Sequence, residues 1–522
     1  MKVAPVRAPQ PSSSLSRLPP HTLDRVMTTT RAAGDPMGRT FLGRPRWFAT
    51  LFMVDIWERF SFYGMTAILY LYLAAPTEGG GFGMDGGAAA AVFGLYMASM
   101  FLAALPGGWL ADRVLGPRRA VAVGAVTIAL GHYAMAVPAR PFLFVGLVLV
   151  VTGTGLVKPA ISWLVSQPDR GDAERREATF SLFYMSIQVS ALIAPLVTGF
   201  LGERVNWHLG FGAAALGMTF GVAQYLAGAR RMGDLGVAPP DPVDPLVLRR
   251  VLRRTALWTG VPVALVAVDV LSGLFVPQHL LMLLGLALVA VPVVAVFRLR
   301  RNPALDAGDR RRLRTFVWLM LASAVFWALY AQSGSVLSGF ARDDIDRVVF
   351  GLEVPASWFQ STHPLFVLFL APVFAWLWPR LGERASAPVK FGGALVVGGI
   401  SWLILGSAVA AEVDRVHMGW LLLAYALLAM GELTIGPVGL ALAARVAPEG
   451  MTNRYLGLFW VFAAVGAGLG GQLAQAASAL PLAQYFLLVG VAVGAVGCVL
   501  LAVARSLRAG LHAPNRRTAT VR

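Results

Sequence analysis

Asp55, Glu58 and Arg59 lie in the stretch DIWERFSFYG, residues 55–64, inside the first long apolar segment of the chain. Their i, i+3, i+4 spacing lets one helix face carry all three. Arg44, Arg46 and Trp47 precede the segment, as expected at a membrane–water interface. At about 1.5 Å of rise per residue, Asp55 lies roughly 12 Å beyond Trp47 and Arg59 roughly 18 Å beyond it. That depth is well inside a hydrocarbon core about 30 Å thick. A charge at the bilayer centre costs about 2.5–3.5 kcal/mol on insertion scales, so three together point to a function. Two acids and one base leave one spare, protonatable carboxylate beside a fixed cation, which suits a proton site. The competing reading is an ion pair that only locks helices together. Arginine is the default base here: of 44 basic residues only Lys2, Lys158 and Lys390 are lysines. Lys158 falls inside an apolar segment, where an ammonium is a compact, titratable point charge and a guanidinium is not.

The elements that must hold these charges are membrane helices. The 522 residues are 57% hydrophobic and only 14% charged, against about a quarter charged for a soluble domain. Apolar segments run at about 47–75, 88–111, 118–137, 142–167, 178–201, 208–228, 256–275, 279–297, 315–340, 358–379, 388–410, 417–445, 453–477 and 482–504. This predicts an all-α integral membrane protein with fourteen spans, grouped six, two and six. The expected organisation is a cytoplasmic tail over 1–43, a six-helix bundle over 44–229, and a linker with two extra helices over 230–314. A second bundle follows over 315–508, then a tail over 509–522. The net charge is +17, yet nucleic acid is not the expected partner. The basic residues gather in alternate loops, near Arg118, Arg175, Arg231, Arg311, Arg384 and Arg454, which is the positive-inside pattern. Both termini are then cytoplasmic, in a plasma (inner) membrane. The single cysteine, Cys498, excludes an intrachain disulfide. Two six-helix halves are the plan of secondary transporters with a site at the midplane.

The segment Gly107-Gly108-Trp109-Leu110-Ala111-Asp112-Arg113-Val114-Leu115-Gly116-Pro117-Arg118-Arg119 resembles the loop between helices 2 and 3 of the major facilitator superfamily. The resemblance implies that Asp112, Arg113 and Arg118 brace an inner gate. DIWERFSFYG resembles the ExxERFxYYG signature of the proton-dependent oligopeptide transporter (POT) family. GTGLVKPAIS (153–162) resembles its fourth-helix GxGxxKP motif, and FYMSIQVSALIAP (183–195) its fifth-helix motif. FWALYAQSGS (326–335), FQSTHPLF (359–366), GELTIGPVGL (431–440) and LGLFWVF (456–462) resemble the motifs of core helices 7, 8, 10 and 11. The resemblance implies a major facilitator fold and proton-coupled uptake of di- and tripeptides. Glu58 and Arg59, with Asp55 as partner acid, would form the proton site. Lys158 would face the central cavity and link substrate to proton. Glu432 would hold a substrate amino terminus or pair with Lys158. Tyr63, Gln188, His363 and Trp460 would complete the substrate site. The coupling ion would be the proton, with no metal or organic cofactor, and the carrier a monomer.

The departures from that pattern bear on the substrate. Thr66 stands where the family has arginine, and Ala331 where it has an acid before the helix-7 glutamine. Losing one of two facing charges would strand the other at low dielectric; losing both is electrically consistent and implies a changed outer gate. Phe62 replaces a tyrosine, Gln188 and His363 replace asparagines, and Phe101 stands for a cavity tyrosine. His363 can titrate near neutral pH or act as a neutral stand-in for asparagine. A carrier of another small carboxylate or amino-acid-like metabolite is therefore the alternative. A membrane enzyme or sensor is disfavoured, since no H-E-x-x-H, G-x-S-x-G or Walker-type loop occurs.

Overall fold

The protein, as a computed structural model, is described over residues 40–42, 44–167, 173–273, 277–382, 385–412, 414–448 and 451–511. The expected tails, 1–43 and 509–522, lie outside the described residues apart from 40–42 and 509–511, as do Arg384 and the side chain of Arg175. The first bundle contains α1 (Arg46–Ala74), α2 (Gly86–Leu110), α3 (Pro117–Ala136), α4 (Arg140–Ser166), α5 (Ala173–Gly199) and α6 (Trp207–Ala229). Next come α7 (Pro245–Leu271) and α8 (Pro277–Arg300). The second bundle contains α9 (Ala307–Ala331), short α10 (Val336–Asp343), α11 (Thr362–Leu381), α12 (Ala387–Ala411), α13 (Met418–Val446), α14 (Thr452–Ala479) and α15 (Leu482–Ala502), with α16 (Ala504–Leu511) closing the chain. Fourteen of these helices have 20 or more residues. Eleven spans among the described residues are long and apolar enough to cross a membrane by length and composition alone. The other three long helices are α1, whose middle carries Asp55, Glu58 and Arg59, and the pair α7 and α8.

The segment read as one helix over 315–340 is broken in the structure. A 3-10 turn over Gln332–Gly334 separates α9 from α10, with Ser335 at φ −126° and ψ −85°. Gln332 is fully buried and accepts a 2.5 Å hydrogen bond from the Tyr485 hydroxyl, so the break is held by side-chain partners instead of helix bonds.

Glycines set the closest crossings. A Cβ added at Gly107 on α2 would lie 2.0 Å from the Gly155 carbonyl oxygen of α4, so only glycine lets these backbones touch. This crossing places Lys158, one turn further along α4, against α2. Gly107→Ala is expected to push the helices apart and cost about 1–3 kcal/mol, as overpacking does. Thermal denaturation in detergent should show a lowered midpoint; an unchanged one would mean the backbones part freely.

Between the bundles, α2 packs along α14, where a Cβ at Gly94 would fall 2.5 Å from the Gly471 Cα. Extra helix α8 lies over this seam: Leu288 is buried with Ala98 of α2 and Ala464 and Ala467 of α14. Further contacts between bundles gather at the end that carries residues 200–205 and 353–361. There Glu203, in a wide π-helical turn (Phe200–Val205), accepts hydrogen bonds from Ala356 N (2.9 Å), Ser357 N (2.8 Å) and Ser357 Oγ (2.5 Å). Arg204 pairs with Glu353 at 3.2 Å across the bundles, Glu353 is held within its own bundle by Arg347 at 2.6 Å, and Trp358 Nε1 donates to Leu196 O at 3.0 Å.

Candidate transport site

The α1 charges are where their spacing puts them. Asp55 and Glu58 are buried, 4% and 1% exposed. Arg59 Nε lies 3.2 Å from Glu58 Oε2 and 3.6 Å from Asp55 Oδ1. Asp55 Oδ2 also accepts a 2.9 Å hydrogen bond from Ser186 Oγ of α5, which anchors it. Neither Glu58 oxygen has a hydrogen-bond partner among the described residues. The cluster thus contains one anchored acid, one acid held only by charge, and one cation.

Lys158 projects from α4 over two rings, with Nζ 5.0 Å from the Phe62 centroid and 5.9 Å from that of Phe101. A cation over aromatic faces gains about 0.5–2 kcal/mol from the ring quadrupoles, which offsets part of the cost of its burial. The charges of Arg59, Glu58 and Asp55 act on it. Phe101 stacks on Trp460 of α14 at 5.6 Å and 14°, so this aromatic pair joins the two bundles beside the lysine. The two positions where a hydroxyl was expected, Phe62 and Phe101, are therefore those that cradle Lys158.

Of the expected substrate residues, Tyr63, Gln188, His363 and Glu432 come together. They line a cavity of about 70 Å³ between the bundles, with Tyr330 and Tyr425. Thr66, Ala331 and Phe62 line it too. Thr66 Oγ1 donates back into its own helix, to Phe62 O at 3.0 Å and Tyr63 O at 3.1 Å, and bridges nothing. Trp460 and Lys158 lie outside this lining. Of the two partners weighed for Glu432, Lys158 is not the one the structure gives it. Its Oε2 faces His363 Nε2 at 3.3 Å instead. Tyr330 and Tyr425 are additions to the substrate residues expected from the motifs, since in sequence a cavity tyrosine does not differ from a packing one.

The expected gate residues brace the turn between α2 and α3 against the chain that follows α6. Arg113 pairs with Asp241 at 2.7 Å, Arg118 donates to Gly233 O, and the Asp112 carbonyl accepts from Asp241 N at 3.1 Å. Gly116, at φ +78°, makes the turn, and a Cβ there would meet Val237 O at 2.5 Å. These partners all belong to the segment between α6 and α7. Arg118→Ala is therefore expected to loosen that segment, read as faster proteolysis between α6 and α7, while α2–α4 packing is kept.

Buried charge at membrane depth, in a chamber between two helical bundles, is the construction of a secondary transporter. Comparison with known proteins makes this specific: the chain belongs to the POT family, whose model (PTR2) matches residues 118–488. It is 34% identical to a di-/tripeptide transporter of Lactococcus lactis subsp. lactis over 90% of this chain and 97% of that protein. Its fold matches a crystal structure of a peptide transporter POT in complex with sulfate, with a TM-score of 0.85 and 36% identity over 90% of this chain and 96% of the other. A POT family transporter in complex with 5-aminolevulinic acid matches with a TM-score of 0.85 and 28% identity, covering 90% of this chain and 98% of that one. The protein is a multi-pass membrane transporter of the major facilitator type, not an enzyme.

Proposed function

We propose that this protein carries di- and tripeptides or similar small zwitterions inward with protons, by alternating access. The observation that carries this reading is the buried α1 cluster with Lys158 beside it: two carboxylates share one guanidinium, and the second carboxylate has no hydrogen bond. The two carboxylates exceed the guanidinium by one negative charge, which the Lys158 ammonium offsets, so a proton gained at the acids and the charge available on Lys158 for a ligand carboxylate are linked. Glu58 takes the proton, Arg59 and Asp55 set its affinity, and Lys158 links it to the ligand carboxylate. Glu432 and its surrounding tyrosines receive the ligand's amino end. The relative from Lactococcus, by its name, supports the peptide class.

The loops near residues 203 and 353 are taken as outer by the distribution of basic residues. The contacts made by Glu203 and Arg204 then close the outer side. Both termini are cytoplasmic, the membrane is the plasma membrane, and the carrier works as a monomer. A second reading, a small amino-acid-like carboxylate as cargo, draws support from uncharged Thr66 and Ala331 in the cavity and from the neighbour holding 5-aminolevulinic acid. Uptake by proteoliposomes under an inward proton gradient, with labelled dialanine, trialanine, alanine and 5-aminolevulinic acid, separates the two. Accumulation of either peptide supports the first; accumulation of the single acids alone replaces it with the second.

A further inference from the structure

The cavity that holds His363 and Glu432 has an electrical problem that its own residues do not solve. His363 is on α11 and Glu432 on α13, and their side chains are 8% and 17% exposed. His363 Nε2 and Glu432 Oε2 are 3.3 Å apart, and neither has another hydrogen-bond partner among the described residues. Tyr330 of α9 meets the imidazole edge-on at 5.2 Å, and Tyr425 of α13 lies at 6.5 Å. From the first bundle, Tyr63 of α1 lines the same cavity and Tyr184 of α5 lies within electrostatic range of Glu432. These tyrosines are neutral near pH 7. Among the described residues, no lysine, arginine or second carboxylate lines the cavity.

We propose that His363 and Glu432 together form a second proton-binding site, separate from the α1 cluster. This rests on the proton-coupled carrier reading and adds a site in the other bundle. With imidazole and carboxylate both deprotonated, the pair carries one negative charge, largely buried and with no cation in the described lining of the cavity to offset it, which is costly. One proton makes the pair neutral, whether it sits on the carboxyl group or as imidazolium against carboxylate. Those two forms hold the same number of protons, so the pair titrates as a unit. The narrow cavity, with no cation in its described lining, therefore favours the proton-loaded pair, and the proton leaves as water reaches the exposed part of Glu432.

The test needs no transported ligand. The full-length protein, labelled with 15N-histidine and reconstituted in lipid nanodiscs, is titrated from pH 4.5 to 9, with His363→Asn and His363→Gln to assign the signal. The expected result is a titrating His363 ring whose midpoint falls by about one unit or more in Glu432→Gln, since an adjacent carboxylate favours the imidazolium. With 13C-glutamate labelling added to follow the Glu432 carboxyl, the second site is overturned if neither the His363 ring nor the Glu432 carboxyl changes over this range, or if the His363 midpoint is the same in Glu432→Gln. Proton-driven uptake by the wild-type protein would then still stand on the α1 cluster. Failure of uptake alongside the expected titration would instead count against the carrier reading.

Discussion

Glu58→Gln is expected to abolish proton-driven accumulation in proteoliposomes, with a loss of about 100-fold or more, in the range for removing a proton-transfer group. The two acids beside Arg59 are not equivalent. Asp55 is anchored by Ser186 at 2.9 Å as well as by Arg59 at 3.6 Å. Glu58 has only the charge of Arg59, at 3.2 Å, and its oxygens make no hydrogen bond among the described residues. It is thus the carboxylate to which the proposed coupling assigns the proton. Glutamine keeps its size and removes its titration. Arg59 retains Asp55, so folding should survive, which elution of a single peak on size exclusion will show. Lys158→Ala should give the same loss by another route. It empties the space over Phe62 and Phe101 and removes the cation that sits among the α1 charges. Accumulation near the wild-type level by both variants would remove Glu58 and Lys158 from the coupling mechanism.

The α1 cluster was legible because its members are neighbours on one helix, and a helix has a known period. The same is true of the long apolar segments, which became helices of 20 or more residues. The break at Gln332 has a local trace in Ser333-Gly334, but its partner Tyr485 lies far along the chain on α15 and was not legible. The contact of Glu432 with His363 joins α13 to α11 and leaves no periodic trace in either. Resemblance alone suggested Lys158 as one possible partner for Glu432; the rings of Phe62 and Phe101, read from sequence as lost hydroxyls, hold Lys158 elsewhere. Position in a motif marks a residue as important. It does not say which of several distant charges it will meet.

The closing of the outer end has the same long-range character, and it supports the second large effect. Glu203→Ala is expected to shift the carrier toward its outward-open form. The Glu203 carboxylate accepts from two backbone N–H groups and one hydroxyl of residues 356–357, across 153 and 154 residues of sequence. Hydrogen bonds to a charged group contribute about 1.5–3 kcal/mol each. Even half of that sum, about 3 kcal/mol, is a change of more than 100-fold in a two-state equilibrium. Ser357→Ala removes one of the three bonds and should shift it less. Gly199→Ala reaches the same end sterically, because its Cβ would lie 1.9 Å from Ser357 Oγ. Spin labels on the exposed residues Val205 and Leu352, in a background with Cys498 replaced, report the separation across this end. The long-distance population should grow in the order wild type, Ser357→Ala, Glu203→Ala, with Gly199→Ala also above wild type. If Gly199→Ala opens the end and Glu203→Ala does not, packing holds the two bundles together there and the carboxylate does not. If neither variant opens it, the closure lies elsewhere, with the Gly94–Gly471 crossing of α2 and α14 the next contact to break.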